Sequence, residues 1–374
     1  MDSQEIQTLI DHKSPGCVTI VQPLYRTSPG RQQNDLLLRR SFEKVKQLMT
    51  LKTKGDGYDN EETIHRMEEL YHSIDLVHCS DGVGIYVSPH LARIVDFPFH
   101  VEEEVNYADH FSSLALYRLL FSKRSYLLLS VRQDSVHLYK GEGKELSEVL
   151  NHQFPLFYQE TYEYGKPEHI SHHGSTVSKE VEKDKNQLQL MRVKAFYRTI
   201  DVGLKEYLDH ADRLLIAGTK KERHAFKEVT DYTNRITGEV DGNYIFASIH
   251  TLGDKAWQII QESLAIEEEE IVAELHEAIG KERCVFGLES VWSDVREKRG
   301  LELYIDPHFP FKAYVSDDRN SLFTHKSSMD KSLKPLPRVL DYLIERHLSS
   351  DGVVRFMDEN RLDEFGGIAL TLRY

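Results

Sequence analysis

A chain of 374 residues is too long for one ordinary core, so two or three domains are expected. At 40% hydrophobic and 29% charged it has the composition of a soluble globular protein, and no apolar run approaches the length of a bilayer span. A net charge of −14, from 47 basic and 61 acidic residues, argues against non-specific nucleic-acid binding but leaves room for a local RNA-facing patch.

The opening Met1-Asp2-Ser3-Gln4-Glu5 has no basic region followed by an apolar core, so no secretory signal is expected. Val18 to Tyr25 reads as a strand and Ser28-Pro29-Gly30 as a turn. Leu37, Leu38, Phe42, Val45 and Leu48 recur at helical spacing from Asn34 until Lys54-Gly55-Asp56-Gly57. A second helix covers Glu61 to Ile74, a short strand Val83 to Val87, and a helix Phe111 to Phe121 closes an α/β unit. A second unit opens with the apolar run Tyr126 to Val131, which turns at Gln133-Asp134-Ser135 into Val136 to Tyr139, a hairpin. An irregular polar stretch, Thr161 to Ser178, precedes a long helix from about Asp184 to His210, striped by Val193, Phe196, Tyr197, Ile200, Leu204 and Leu208. Arg213 to Ala217 is a strand, and a helix follows from Lys220. The glycine turn between them lacks the spacing that cradles phosphates.

A third unit opens near Leu252. Its elements are a helix or helix pair over Asp254 to Ile279, a helix over Ser290 to Lys298, and strands Leu301 to Ile305 and Lys312 to Val315. A helix striped by Leu336, Val339, Leu340, Leu343 and Ile344 ends near His347, and strand Val353 to Met357 follows. The last strand alternates, with Ile368, Leu370 and Leu372 on one face and Ala369, Thr371 and Arg373 on the other. Glu267 to Glu270 reads as a solvated helix face, Asp306 to Pro310 as a turn, and Asp358 to Arg361 as a solvated loop. Cys17, Cys79 and Cys284 are too widely spaced for a disulfide framework or a zinc pattern. They read as buried packing residues in a reducing cytoplasm.

Two segments of the third unit come in a telling order. Glu282-Arg283-Cys284-Val285-Phe286-Gly287-Leu288-Glu289 precedes a helix and a strand, and Phe365-Gly366-Gly367-Ile368-Ala369-Leu370-Thr371-Leu372-Arg373-Tyr374 follows. Together they resemble the C-terminal domain of archaeo-eukaryotic peptide-chain release factors and the related rescue factor Pelota, where a YCFG-E segment and a GGIG-ILRY strand occupy the same relative places. The central strands, long helix and Leu214-Leu215-Ile216-Ala217-Gly218 resemble that family's middle domain, an RNase H-like fold. The N-terminal unit is similar to bacterial homologues of these factors, some of which resemble ribosome-hibernation and rescue factors. The resemblance implies an α/β protein of three domains: an N-terminal α/β domain (1–122), a central RNase H-like domain (123–250) and a C-terminal layered α/β domain of the release-factor type (251–374).

The resemblance also sets out a chemistry, and the sequence departs from it. In release factors that terminate translation, the loop before the long middle-domain helix carries Gly-Gly-Gln, whose glycine backbone enters the peptidyl-transferase centre. Here the matching loop reads His169-Ile170-Ser171-His172-His173-Gly174-Ser175-Thr176. Gly-Gly-Gln release therefore does not carry over, and neither does stop-codon reading, since the family's Asn-Ile-Lys-Ser is absent from the N-terminal unit. The implied role is a cytoplasmic, ribosome-associated factor acting near the A site in rescue, hibernation or stress rather than a terminating esterase. Its partners would be rRNA, tRNA and a translational GTPase or ribosomal protein docked by the C-terminal domain, with no membrane partner and no cofactor.

The residues that would contact RNA are His169, His172, His173, Gly174, Ser175 and Thr176, with Lys179, Lys183 and Arg192 beyond them. Three imidazoles within five positions admit an exposed polar loop, RNA phosphate contact, or a metal, although no cysteine lies nearby. Tyr158, Tyr162 and Tyr164 are able either to stack on bases or to pack internally. The alternative function is a peptidyl-tRNA or RNA hydrolase working through the histidine loop. A nuclease would need converging carboxylates, and the central strands offer only Asp134 and Glu142.

Overall fold

A computed structural model describes residues 3–56, 61–77, 79–122, 125–158, 177–209, 211, 213–244, 248–316, 321–326, 332–358 and 360–374, and the side chains of 52–56 and 177–189 lie outside this description. The chain divides into two compact units, Met1–Ser122 with Glu268–Tyr374, and Lys123–Glu267.

The N-terminal segment contains α1 (Ser3–Asp11), β1 (Lys13–Pro23), α2 (Asn34–Asp56), α3 (Glu61–Ser73), β2 (Gly82–Val87), β3 (Ala92–Phe97), β4 (Glu104–His110) and α4 (Leu114–Phe121). The four strands form an antiparallel sheet in the order β3-β2-β1-β4. Both faces are covered, which is why β1 and β2 read as continuous apolar runs. Val18, Ile20, Val83, Ile85 and Val87 meet Leu38, Phe42, Val45 and Met67 of α2 and α3. The opposite face, with Cys17, Val21, Tyr86 and Phe97, is covered by Ile6 and Leu9 of α1 and Leu116 of α4. The sequence reading lacks α1, β3 and β4. The two strands flank the sheet and carry Arg93, Asp96, Glu104 and Asp109, so no apolar run marks them.

The central unit holds β5 (Ser125–Val131), β6 (Ser135–Glu142), β7 (Glu145–Glu148), β8 (Leu156–Phe157), α5 (Val177–Leu208), β9 (Leu214–Gly218), α6 (Lys220–Lys227), β10 (Ile236–Asp241) and the first part of α7 (Ile249–Gly280). The sheet order is β10-β9-β5-β6-β7, with β8 on β6. Strands β5, β9 and β10 run parallel, while β6 and β7 form an antiparallel meander. An antiparallel trio followed by two parallel strands inserted beside the first is the RNase H-like order. The predicted stripe Val193, Tyr197, Ile200, Leu204 and Leu208 of α5 is buried with Ala225 and Phe226 of α6 on one face. Leu252, Ala256, Trp257 and Ile260 of α7 cover the other. Helix α7 is a single helix and not a pair.

The C-terminal segment adds β11 (Cys284–Phe286), α8 (Leu288–Arg296), β12 (Gly300–Ile305), the short strands β13 (Tyr314–Val315), β14 (Leu322–Phe323) and β15 (Lys334–Pro335), α9 (Val339–Leu348), β16 (Val353–Phe356) and β17 (Ile368–Leu372). Its main sheet runs β11-β17-β12-β16. The alternation read in the last strand holds. Ile368, Leu370 and Leu372 enter a core with Val291 and Trp292 of α8 and Leu343 and Ile344 of α9. Ala369 faces a second core with Leu275 of α7.

Three readings are corrected. The Glu267–Glu270 run is not simply a solvated face. Glu268 is buried and accepts from Asp358 N at 2.9 Å with Arg361 3.4 Å away, while Glu267 pairs with buried Arg213 at 2.6 Å. For the same reason the loop around Asp358 and Arg361 is anchored, and Asn360 N is further held by Asp306 at 3.1 Å. Of the cysteines, Cys17 and Cys284 are buried, and burial pushes both thiols up to about 11, whereas Cys79 is only partly buried. Among the described residues no helix is long and apolar enough to cross a membrane.

Candidate functional site

The loop that distinguishes this chain, with His169, His172, His173, Gly174, Ser175 and Thr176, lies outside the described residues. Lys179 and Lys183 fall in the first two turns of α5, whose backbone alone is described there. Arg192, further along the helix, is partly buried and engaged with its surroundings. The three basic residues thus share one helix that begins where the loop ends. Tyr158 stacks edge-on against Phe196 at 5.6 Å, so it packs onto α5, and Tyr162 and Tyr164 are not described.

Asp134 and Glu142, the carboxylates the central strands offer, do not converge, in line with the expectation that a nuclease centre is lacking there. Asp134 stands before β6 and Glu142 ends it, eight positions apart, which at about 3.3 Å per residue separates them by roughly 26 Å. The parallel strands β5 and β9 instead end at the place where the chain reverses direction across the sheet, the usual position of a crevice in open α/β sheets. A cavity of about 30 Å³ opens there, floored by Val193, Tyr197 and Ala225 and rimmed by Gln133, Lys221 and Glu222. Sequence reading missed Glu222, although Thr219 followed three residues later by glutamate is a capping signature. Its Oε2 accepts from Thr219 N at 2.9 Å and Thr219 Oγ1 at 2.7 Å, and its Oε1 accepts from Gln133 N at 3.2 Å. Glu222 therefore starts α6 and ties it to the β5–β6 turn, leaving little freedom for a general-base role. Thr219→Ala is expected to lower the stability of this unit by about 1 kcal/mol in urea unfolding, the usual cost of a lost cap.

Other carboxylates at this end of the sheet are similarly committed. Arg223 pairs with Glu239 at 3.1 Å and Asp241 at 2.8 Å. The hydrogen bond from Lys227, more than the Arg223 charge, holds the Glu239 carboxyl below its ordinary range. This end of the sheet is organised to brace α6.

In the C-terminal segment the two signature stretches, some eighty residues apart in sequence, are one structure. Strand β11 pairs antiparallel with β17, with Cys284 opposite Thr371 and Phe286 opposite Ala369. Gly287 N lies 3.1 Å from both Phe365 O and Ile368 O. Gly287, Gly366 and Gly367 all have positive φ, at 76°, 67° and 77°. A Cβ on Gly367 would sit 2.2 Å from Phe309 Cγ, so glycine is demanded there by dihedral and by space together. Phe286 remains 46% exposed while its ring meets Phe365 edge-on at 6.0 Å. Beside it His276 contacts Phe365 and lies 2.8 Å from Glu364.

The sequence profile of the family described as "Bacterial archaeo-eukaryotic release factor family 3" matches residues 125–299. No curated protein matches the chain. Among solved structures, the archaeal translation termination factor aRF1 is 14% identical, covering 100% of this chain and 99% of that one at a TM-score of 0.25. Pelota of Archaeoglobus fulgidus is 13% identical over 100% and 92%, with a TM-score of 0.36. Dom34 of S. cerevisiae, a translation termination-like factor, is 12% identical over 77% and 74%, at 0.41. Over residues 125–299, which carry the RNase H-like sheet and the long helix after the histidine loop, this chain is thus similar to the bacterial archaeo-eukaryotic release factors of family 3.

Proposed function

We propose that the protein is a ribosome-associated translation factor of release-factor-like architecture. It binds near the A site in ribosome rescue, hibernation or stress response and does not release peptide by the Gly-Gly-Gln route. The family match over residues 125–299 carries this reading, because it spans the long helix and the loop before it, the region whose counterpart in the release factors the sequence resembles enters the peptidyl-transferase centre. The sequence His169–Thr176 supports the second half of the reading. One glycine stands where the release chemistry uses two and a glutamine. In this proposal the histidine loop and the start of α5, with Lys179, Lys183 and Arg192, face rRNA and tRNA. The C-terminal domain docks a translational GTPase or a ribosomal protein. The division into domains 1–122, 123–250 and 251–374 and a cytoplasmic location belong to the same proposal.

Sucrose-gradient co-sedimentation tests the reading directly. The full chain is expected to travel with ribosomes prepared from stationary or stressed cells, and its failure to do so at low salt would remove the proposal. Ester release from ribosomes loaded with peptidyl-tRNA separates binding factor from hydrolase. No release is expected from the natural chain. Release that is lost in His172→Ala or His173→Ala would transfer the function to the histidine loop as an enzyme.

A further inference from the structure

The contact between residues 3–122 and residues 268–374 buries an unusual set of groups. Arg338, the residue that caps the start of α9, is held at φ 57°, ψ 42°, a left-handed conformation that residues with side chains seldom adopt. From there its Nη1 lies 3.4 Å from Ser112 Oγ, 3.5 Å from His110 Nε2 and 3.9 Å from Asp341 Oδ2. Asp341, buried in the first turn of α9, accepts from Ser113 N at 3.2 Å and also from Leu114 N. These are the opening amides of α4, and Ser113 makes no side-chain cap of its own. A carboxylate 228 residues further along the chain thus caps this helix. Glu104 of β4 is drawn to the same guanidinium and hydrogen-bonds to Ser112.

We propose that Asp341 and Glu104, both drawn to Arg338, form a proton-operated latch between residues 3–122 and 268–374, closed while one of the two carboxyls keeps its proton and loosened when both are ionised. One guanidinium does not fully neutralise two carboxylates when one of them, Asp341, is buried, and a protonated carboxyl still accepts from the α4 amides through its carbonyl oxygen. The second charge therefore works against the contact.

Among the described residues, Arg338 is the cation whose charge reaches Asp341. From β4, Asp109 and His110 face Arg338. The His110 Nδ1 lies 2.7 Å from Asp109 Oδ1, which leaves Nε2 to accept from the guanidinium. From β2 comes the buried Tyr86 hydroxyl, which has no hydrogen-bond partner among the described residues, and from α4 comes Tyr117. Burial, with the nearby carboxylates adding to it, pushes both phenols up and keeps them neutral. Asp11 of α1 and Glu345 of α9 also lie toward Tyr117, and Lys13 of β1 is occupied with Glu345 at 3.4 Å.

Burial, followed by the Glu104 charge, pushes the Asp341 carboxyl up to about 7, and burial raises Glu104 as well. The folded chain therefore holds a proton that an exposed aspartate releases near pH 4. Stability at this contact falls as pH rises from about 4 to about 7 and then levels off.

Hydrogen exchange of the amides of residues 113–121 in the full chain, corrected for intrinsic rates, tests the latch. Protection is expected to fall about ten-fold between pH 5.5 and pH 8, the effect of roughly one unit of differential proton affinity. Asp341→Asn, which keeps the accepting oxygen and removes the charge, is expected to hold at pH 8 the protection that the natural chain has at pH 5.5. Glu104→Gln is expected to shift the loss to lower pH and shrink it, an outcome that a merely structural carboxylate would not produce. Unchanged protection in the natural chain over this range would overturn the latch. So would an unaltered loss in Glu104→Gln, whether or not Asp341→Asn folds.

Discussion

Gly367→Ala is expected to destabilise the C-terminal core by about 4 kcal/mol. Two costs add. An alanine at φ 77° leaves the region L-residues favour, for about 1–2 kcal/mol. Its Cβ, 2.2 Å from Phe309 Cγ and 2.5 Å from Phe309 Cβ, must also displace a ring held near the chain, and overpacking of this kind costs about 1–3 kcal/mol. Gly287→Ala provides the control. Its φ is 76°, but nothing lies within 4 Å of the added atom, so only the first cost applies. Urea unfolding followed by Trp292, in a Trp257→Phe background, reads this core directly, since Trp292 and Trp257 are the chain's two tryptophans and Trp292 is 1% exposed. Equal losses from the two glycines would show that the dihedral alone matters and that Phe309 yields freely.

Glu268→Ala is expected to cost about 3 kcal/mol, against less than about 1 kcal/mol for Glu269→Ala. Both carboxylates reach Arg361, at 3.4 and 3.3 Å. They differ in exposure, 11% for the Glu268 side chain and 68% for Glu269. An exposed pair is screened and nearly neutral in energy. Removing Glu268 strips the Asp358 N–H of the acceptor it reaches at 2.9 Å and leaves a hole at a buried position, while Glu269 still serves the guanidinium. Chemical denaturation of the two variants at neutral pH decides the matter. Equal small losses would restore the solvated-face reading of the acidic run.

That acidic run marks where sequence reading stops. Four glutamates in a helix give no sign that one of them points inward, because the decision is made by Asp358 and Arg361 some ninety residues later. Arg338 and Asp341 pose the same problem: a charged pair three apart reads as a helix surface until α4 is found against it. The interior strands β1, β2, β5 and β9 were legible, since burial on both sides makes them uninterrupted apolar runs. Strands β3, β4, β7 and β10 lie further out in their sheets with charged residues among their positions, and local pattern does not distinguish these from loops. The two C-terminal signatures were legible as wording before their contact was known. Their pairing as β11 and β17 supplies the physical reason for the three glycines. At the candidate site, the sequence gives the identity of the histidine loop and the basic residues after it. Sequence did not reveal the Glu222 brace, because its partner Gln133 sits on a turn about ninety residues earlier.

The position of β17 bears on how the protein is made. It lies between β11 and β12, inside its sheet and not at the rim, so that sheet stays split until Ile368–Leu372 has emerged from the exit tunnel. The partner segment of the same compact unit, residues 1–122, was made long before. The central segment, Lys123–Glu267, is continuous and has its whole sheet once β10 is out. Synthesis should therefore complete the sheets of residues 1–122 and 123–267 before the C-terminal one, and docking of the C-terminal segment onto residues 1–122 across so long a loop is expected to be the slow phase of folding.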